Sequence, residues 1–227
     1  MSRPADWQIV KILGRQKYLC VSLIAFMLTG PIVGHLKGPV ASLVMYGILM
    51  LVFITGPLTA SRSRSELIAT ALFAAMTLLT GVFSALYFEV SPFTTLMGVV
   101  FFAYLTYLLG RQLLHIDAQV DAEMLWMSVN VFILAGLFFA FLYGFVAYIQ
   151  PDAFVGKFMD SALEDQIYGF VYFSFVTLTT LGYGDLTPNT IMIATITYME
   201  ALFGQLYVAI LIARLVGLYA GSRNDPG

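Results

Sequence analysis

Thr177-Leu178-Thr179-Thr180-Leu181-Gly182-Tyr183-Gly184-Asp185-Leu186-Thr187-Pro188 decides the reading of this chain. Gly182 and Gly184 stand either side of one tyrosine, where they free the backbone for conformations that a Cβ disfavours. A backbone freed in this way can turn successive carbonyl oxygens toward one line. Such a line can replace the water shell of a monovalent cation.

The surroundings of the stretch are those of a membrane. Of 227 residues, 60% are hydrophobic and only 11% are charged, against roughly 45–50% apolar and about 25% charged in soluble domains. Six apolar runs appear, at about 18–34, 40–60, 67–88, 93–109, 124–149 and 190–218. Each approaches or exceeds the ~20 residues that cross a bilayer as a helix, allowing for tilt. Gly30-Pro31 is expected to kink the first run and Pro57 to bend the second near its end. The expected fold is an all-α membrane protein with six transmembrane helices. Domains are placed at 1–17 (a cytoplasmic or interfacial segment), 18–110 (a four-helix membrane domain), 111–123 (a connector), 124–219 (a pore domain) and 220–227 (a cytoplasmic tail). Gly110 is expected to break the fourth helix before the connector.

The segment between the last two runs contains the quoted stretch. It opens with a loop over Gln150–Asp160, and Ser161-Ala162-Leu163-Glu164 then reads as a capping box. A helix over about 162–179 follows, with the glycine-rich turn at 180–185 directly after it. A re-entrant helix fits better than a further span, because non-helical backbone at membrane depth survives only where protein or water covers it.

Loop charges orient the chain. With the N-terminus inside, Arg3, Lys11, Arg15, Lys17, Arg62, Arg64, Arg111, Arg214 and Arg223 fall on the cytoplasmic side, and only Lys37 and Lys157 fall outside. The excess of inside cations predicts a multi-pass cell-membrane protein with both termini cytoplasmic. The same orientation puts Gly182-Tyr183-Gly184 in the outer half of the bilayer. About nine residues follow the last run, too few for a cytoplasmic ligand-binding domain.

Thr180-Leu181-Gly182-Tyr183-Gly184-Asp185 resembles the selectivity filter of potassium channels, with Leu181 where valine is usual. The resemblance covers about residues 162–217 and fits a bacterial-type channel with a single pore loop. It implies K⁺ sites at Thr180, Leu181, Gly182 and Tyr183, with Gly184 completing the filter and the hydroxyl of Thr180 as a further ligand. Tyr183 is implied to brace the filter against Tyr172 and Phe173, and Asp185 to hold the filter backbone at the outer mouth. Thr179 and Val176 support it from the pore helix. Val176 takes a place where many two-helix relatives carry glutamate. Gly204 falls near the hinge glycine of related inner helices, so Gly204 and Glu200 are gating candidates, Gly204 being otherwise a close-packing residue. Glu200 either bonds the base of the pore helix or lines a cavity, since ionisable groups at this depth usually face a partner or water.

One pore segment supplies a quarter of a closed ring, so a homotetramer in a lipid bilayer is the implied assembly. The implied function is passive K⁺ conduction, with no cofactor beyond the permeant ion. The alternatives are a potassium transporter subunit and a non-conducting membrane scaffold or regulatory subunit. The fourth run carries no Arg or Lys between Phe93 and Leu109, whereas steep voltage dependence needs ~3–4 gating charges per subunit. No conventional voltage sensor is expected. Asp152, Asp160, Glu164 and Asp165 surround Lys157, which either enriches cations at the outer mouth or is ordinary loop solvation. No constellation suggests an enzyme, and a net charge of −2 gives no reason to expect a nucleic-acid partner. Cys20 stands alone in an apolar run and reads as a packing residue; His35 and His115 read as isolated loop histidines.

Overall fold

The computed structural model describes residues 16–29, 39–87, 92–115, 122–159 and 163–223. Most of the interfacial segment, the Gly30-Pro31 kink, His35, Lys37, the middle of the connector, Asp160, Ser161 of the capping box and the end of the tail lie outside the described residues.

Seven helices carry the described chain: α1 (Gln16–Met27), α2 (Pro39–Ala60), α3 (Arg64–Tyr87), α4 (Pro92–Leu114), α5 (Ala122–Ile149), α6 (Leu163–Leu178) and α7 (Ile191–Arg223). Between α5 and α6 lie a 3₁₀ turn, Pro151–Ala153, and strand β1, Phe154–Gly156; strand β2, Leu186–Pro188, precedes α7. Four helical stretches are long and apolar enough to cross a membrane: 64–83, 92–114, 122–149 and 191–217. Gln16–Met27 and the Gly47–Ala60 part of α2 are apolar but shorter.

The arrangement centres on α5. It is apolar on every side, and a helix of that kind must be covered all round. Helices α1, α4, α6 and α7 cover it, leaving Leu134, Leu137, Ala140 and Tyr143 with no solvent exposure. Leu19 and Leu23 of α1, Val52 of α2 and Phe102, Leu105 and Leu109 of α4 complete the inner core. Cys20 is buried among them. Gly98 lets the ring of Phe141 lie directly on the α4 backbone, where a Cβ would collide with it.

Polar contacts tie α1–α4 together and to α5. The Asn130 amide donates to the carbonyl and side-chain oxygens of Gln16 at 2.8 and 2.9 Å. Gln112 of α4 donates to the Ala60 carbonyl, one of those left without a helical partner at the end of α2. Arg111 pairs with Glu66 across α3 and α4.

Two expectations change. Helix α4 runs through Gly110 to Leu114: one glycine costs a helix only about 1 kcal/mol relative to alanine, and no following proline stops it. Arg111 therefore belongs to α4 and not to a connector. Helix α2 spans Pro39–Ala60 with Pro57 inside it, as the second run led one to expect. The loop after α5 is not irregular throughout, because Phe154–Gly156 pairs antiparallel with β2.

Candidate functional site

Helix α6 ends at Leu178, and the chain then turns out of helical geometry. The first amides beyond it reach back. Thr180 N–H donates to the Thr177 carbonyl at 2.9 Å, and Leu181 and Gly182 N–H both point to the Val176 carbonyl, at 2.9 and 3.4 Å. In a trans peptide the N–H and the preceding C=O point in opposite directions. The carbonyls of Thr179, Thr180 and Leu181 therefore point away from α6, toward the exposed side of the stretch.

Positive φ recurs at every second residue: Thr180 at 60°, Gly182 at 56° and Gly184 at 75°, with Leu181 and Tyr183 between them on the ordinary side. In an extended chain successive carbonyls alternate sides; changing hand at every second residue cancels that alternation. Glycine accepts this freely, whereas a β-branched residue does so only under constraint. The Thr180 conformation is worth about 1–3 kcal/mol of local strain, held by the bonds to Val176 and Thr177. The sequence signals Gly182 and Gly184 but not Thr180. Leu181 and Tyr183 are 60% and 66% exposed on the single chain.

Tyr183 lies parallel to Tyr172, with ring centroids 6.4 Å apart and planes 3° apart. The Tyr172 hydroxyl donates to Asp185 Oδ2 at 2.9 Å. Tyr172 thus meets both Tyr183, through the ring stack, and Asp185, through its hydroxyl. Phe173 does not share these contacts. One helical step turns Phe173 to another face of α6, where its ring packs edge-on against Tyr143 and Phe154. Val176 acts through its carbonyl, its side chain being buried, and Thr179 bonds back to the Phe175 carbonyl.

The outer end of the stretch is held by backbone. The Asp185 carbonyl accepts the Lys157 N–H at 2.7 Å, and the two strands pair Gly156 with Leu186, Val155 with Thr187 and Phe154 with Pro188. Gly156 has φ 122°, and a Cβ there would collide with the Asp185 carbonyl. Asn189, ahead of α7, donates through its backbone to Ala153 and through its side chain to Asp152.

Helix α7 passes beneath and beside α6. Gly204 lies against the Leu178 carbonyl, so close that a Cβ would overlap it. Gly136 gives Phe175 similar room on α5, where a Cβ would come 2.6 Å from the ring. Glu200 has no exposure and meets Tyr143 of α5 and Ser174 of α6. Of the two possibilities open in the sequence, it takes the contact with α6, through Ser174. Sequence reasoning gave no role to Gln205, whose side-chain amide donates to the Thr180 hydroxyl at 3.2 Å; a glutamine next to Gly204 within an apolar helix is the signal that could have drawn attention to it. Farther along α7, Arg214 donates to the carbonyls of Leu113 and Leu114 at the end of α4.

A 16-residue apolar helix, a turn whose first carbonyls face away from it and a long apolar helix thus follow one another. Residues 126–220 match the ion-channel family model. The matched ion-channel segment takes in nearly all of α5, the strand pair, α6, the carbonyl-bearing turn and α7 almost to its end. No curated protein and no solved structure matches the chain. With four helices among the described residues long and apolar enough to span, the chain is a membrane protein, and its residues 126–220 are similar to an ion-channel family.

Proposed function

We propose that this chain is the subunit of a homotetrameric, K⁺-selective channel that conducts passively and has no charge-based voltage sensor. The observation that carries the reading is the alternation of backbone hand at Thr180, Gly182 and Gly184 over amides bonded back to α6. Carbonyls turned to one side suit a dehydrated monovalent cation, which needs several oxygens and no formal countercharge. One chain leaves that side open, with Leu181, Tyr183 and much of α7 uncovered. Four chains about one axis would close the ring and cover these apolar surfaces. The C-terminal end of α6 adds roughly half a negative charge per chain toward the centre. In this reading α1–α5 and α7 give six spans, α6 is re-entrant and both termini are cytoplasmic. Thr180, Leu181, Gly182 and Tyr183 carry the ion sites. Arg111 is the one basic residue of α4 and is paired with Glu66, so a charged fourth helix of the voltage-sensing kind is missing among the described residues.

Purified full-length protein in liposomes tests the proposal. The expected result is K⁺ flux that Ba²⁺ blocks and Na⁺ does not replace. Flux that requires a second ion or an energy source would favour a transporter subunit. Absence of flux would favour a scaffold or regulatory subunit, and equal K⁺ and Na⁺ flux would remove the selectivity claim.

A further inference from the structure

Glu200 sits within α7 with no exposure, and the hydrogen bonds around it can be counted proton by proton. Tyr143 of α5 and Ser174 of α6 are equally sealed. The Tyr143 hydroxyl lies 2.5 Å from Oε2 of Glu200. The Ser174 hydroxyl oxygen lies 2.5 Å from Oε1 and also 2.7 Å from the Gly136 carbonyl oxygen.

Tyr143 and Ser174 each bring one proton. The Tyr143 proton serves Oε2. The Ser174 proton can serve Glu200 or Gly136, but not both. With an ionised Glu200, either choice leaves two oxygens pressed together with no proton between them. One more proton, on Oε1, completes the set: Tyr143 donates to Glu200, Glu200 to Ser174, and Ser174 to Gly136. Each of these three contacts, Tyr143–Glu200, Glu200–Ser174 and Ser174–Gly136, then holds one proton, and proton placement follows from the network in this way. The two side chains that bond Glu200 carry no positive charge, and a carboxylate sealed from water without a cationic partner is costly.

We infer that Glu200 is a neutral carboxylic acid that relays hydrogen bonds from α5 to α6, a positioning residue that fixes the pore helix beneath the filter. Only its bearing on selectivity rests on the channel reading above. A glutamine can reproduce the relay, because its amide donates to Ser174 and its oxygen accepts from Tyr143. An alanine cannot.

The test is an infrared difference spectrum of the full-length protein in lipid vesicles at neutral pH, wild type minus Glu200→Gln. A protonated carboxyl has a C=O stretch that carboxylates lack. The expected result is such a band in wild type, absent from the variant; loss of carboxylate bands in its place overturns the inference. If Glu200→Gln fails to assemble, Ser174→Ala serves. It removes the acceptor of the Glu200 proton, so the wild-type carboxyl band should move to higher frequency, and an unmoved band overturns the relay. In flux measurements, Glu200→Gln should keep the K⁺ over Na⁺ preference within about twofold and Glu200→Ala should lose about tenfold, as for an unpaired buried donor. Equal losses in the two variants would overturn the positioning role. If wild type passes no K⁺, the channel reading fails, while the infrared band still decides where the proton is.

Discussion

Replacing Gly204 with alanine puts a methyl group where the backbone of Leu178 already stands. The new Cβ would overlap the Leu178 carbonyl oxygen and lie 3.0 Å from the carbonyl carbon and 3.2 Å from Cδ1. The leucine side chain can swing aside. The carbonyl cannot, because Leu178 ends α6 and the next amides are bonded to Val176 and Thr177. Helix α7 must therefore move away from α6, and overpacking of this kind costs about 1–3 kcal/mol per chain. At roughly 2–4 °C per kcal/mol for a chain of this size, the melting temperature should fall by roughly 2–12 °C. The displacement occurs next to the turn at 180–185, so on the channel reading K⁺ over Na⁺ selectivity should fall with stability. Gly110→Ala is the matched control. It also lies in a helix, with nothing within 4 Å of the added Cβ, and should hold or raise stability by up to about 1 kcal/mol. The assays are thermal melting in detergent and the K⁺/Na⁺ flux ratio in liposomes. If Gly204→Ala melts like wild type, keeps its selectivity and changes only opening, the packing argument is refuted and Gly204 serves as a hinge.

Tyr172→Phe keeps the stack on Tyr183 and removes only the bond to Asp185. A double-mutant cycle with Asp185→Asn should give a coupling of about 0.5–1.5 kcal/mol in thermal stability, the range for a partly exposed hydrogen bond; a coupling near zero would mean that the bond does not hold the filter. Gly156→Ala meets both an unfavourable φ and the Asp185 carbonyl and should cost more than about 1 kcal/mol. Its signature is faster hydrogen exchange at the Lys157 amide, and unchanged protection there would count against the strand brace. Arg214→Gln takes a cation from the end of α4, worth about 0.3–1 kcal/mol. It should change opening and closing rates while leaving selectivity unchanged; a change confined to selectivity would contradict this placement.

The parts of this structure that the sequence made legible are those fixed by local chemistry. Runs of apolar residues located the helices, and Gly182-Tyr183-Gly184 located the turn, because no other residue type suits those backbone angles so well. Tyr172 and Asp185 could be paired with the filter through resemblance. What stayed hidden depends on distant chain. Three-residue strands carry too little periodicity to be seen, and β1 finds β2 only across α6 and the turn. The positive φ of Thr180 is imposed by Val176 and Thr177 against its own preference. Phe173 went astray because resemblance supplies a position but not the helical face on which a different aromatic residue will pack. Glu200 was conspicuous as a charge within an apolar helix, yet its partners lie on two other helices, at separations of 57 and 26 residues. Gly110 misled because breaking a helix takes more than one glycine.

Helix α7 is gripped just before its start and again at Arg214 by different parts of the chain. Above it, Asn189 is fastened to the turn that follows α5; below, Arg214 holds the last carbonyls of α4. Mechanically this is a beam with one built-in end and one guided end. A push on α1–α4, whether from bilayer thickness or lateral tension, enters such a beam near its foot. It arrives as a bending moment, largest toward the anchored top, and not as a sliding of the whole helix. On the channel reading, α1–α4 can therefore load the pore from the side without carrying a charge through the membrane.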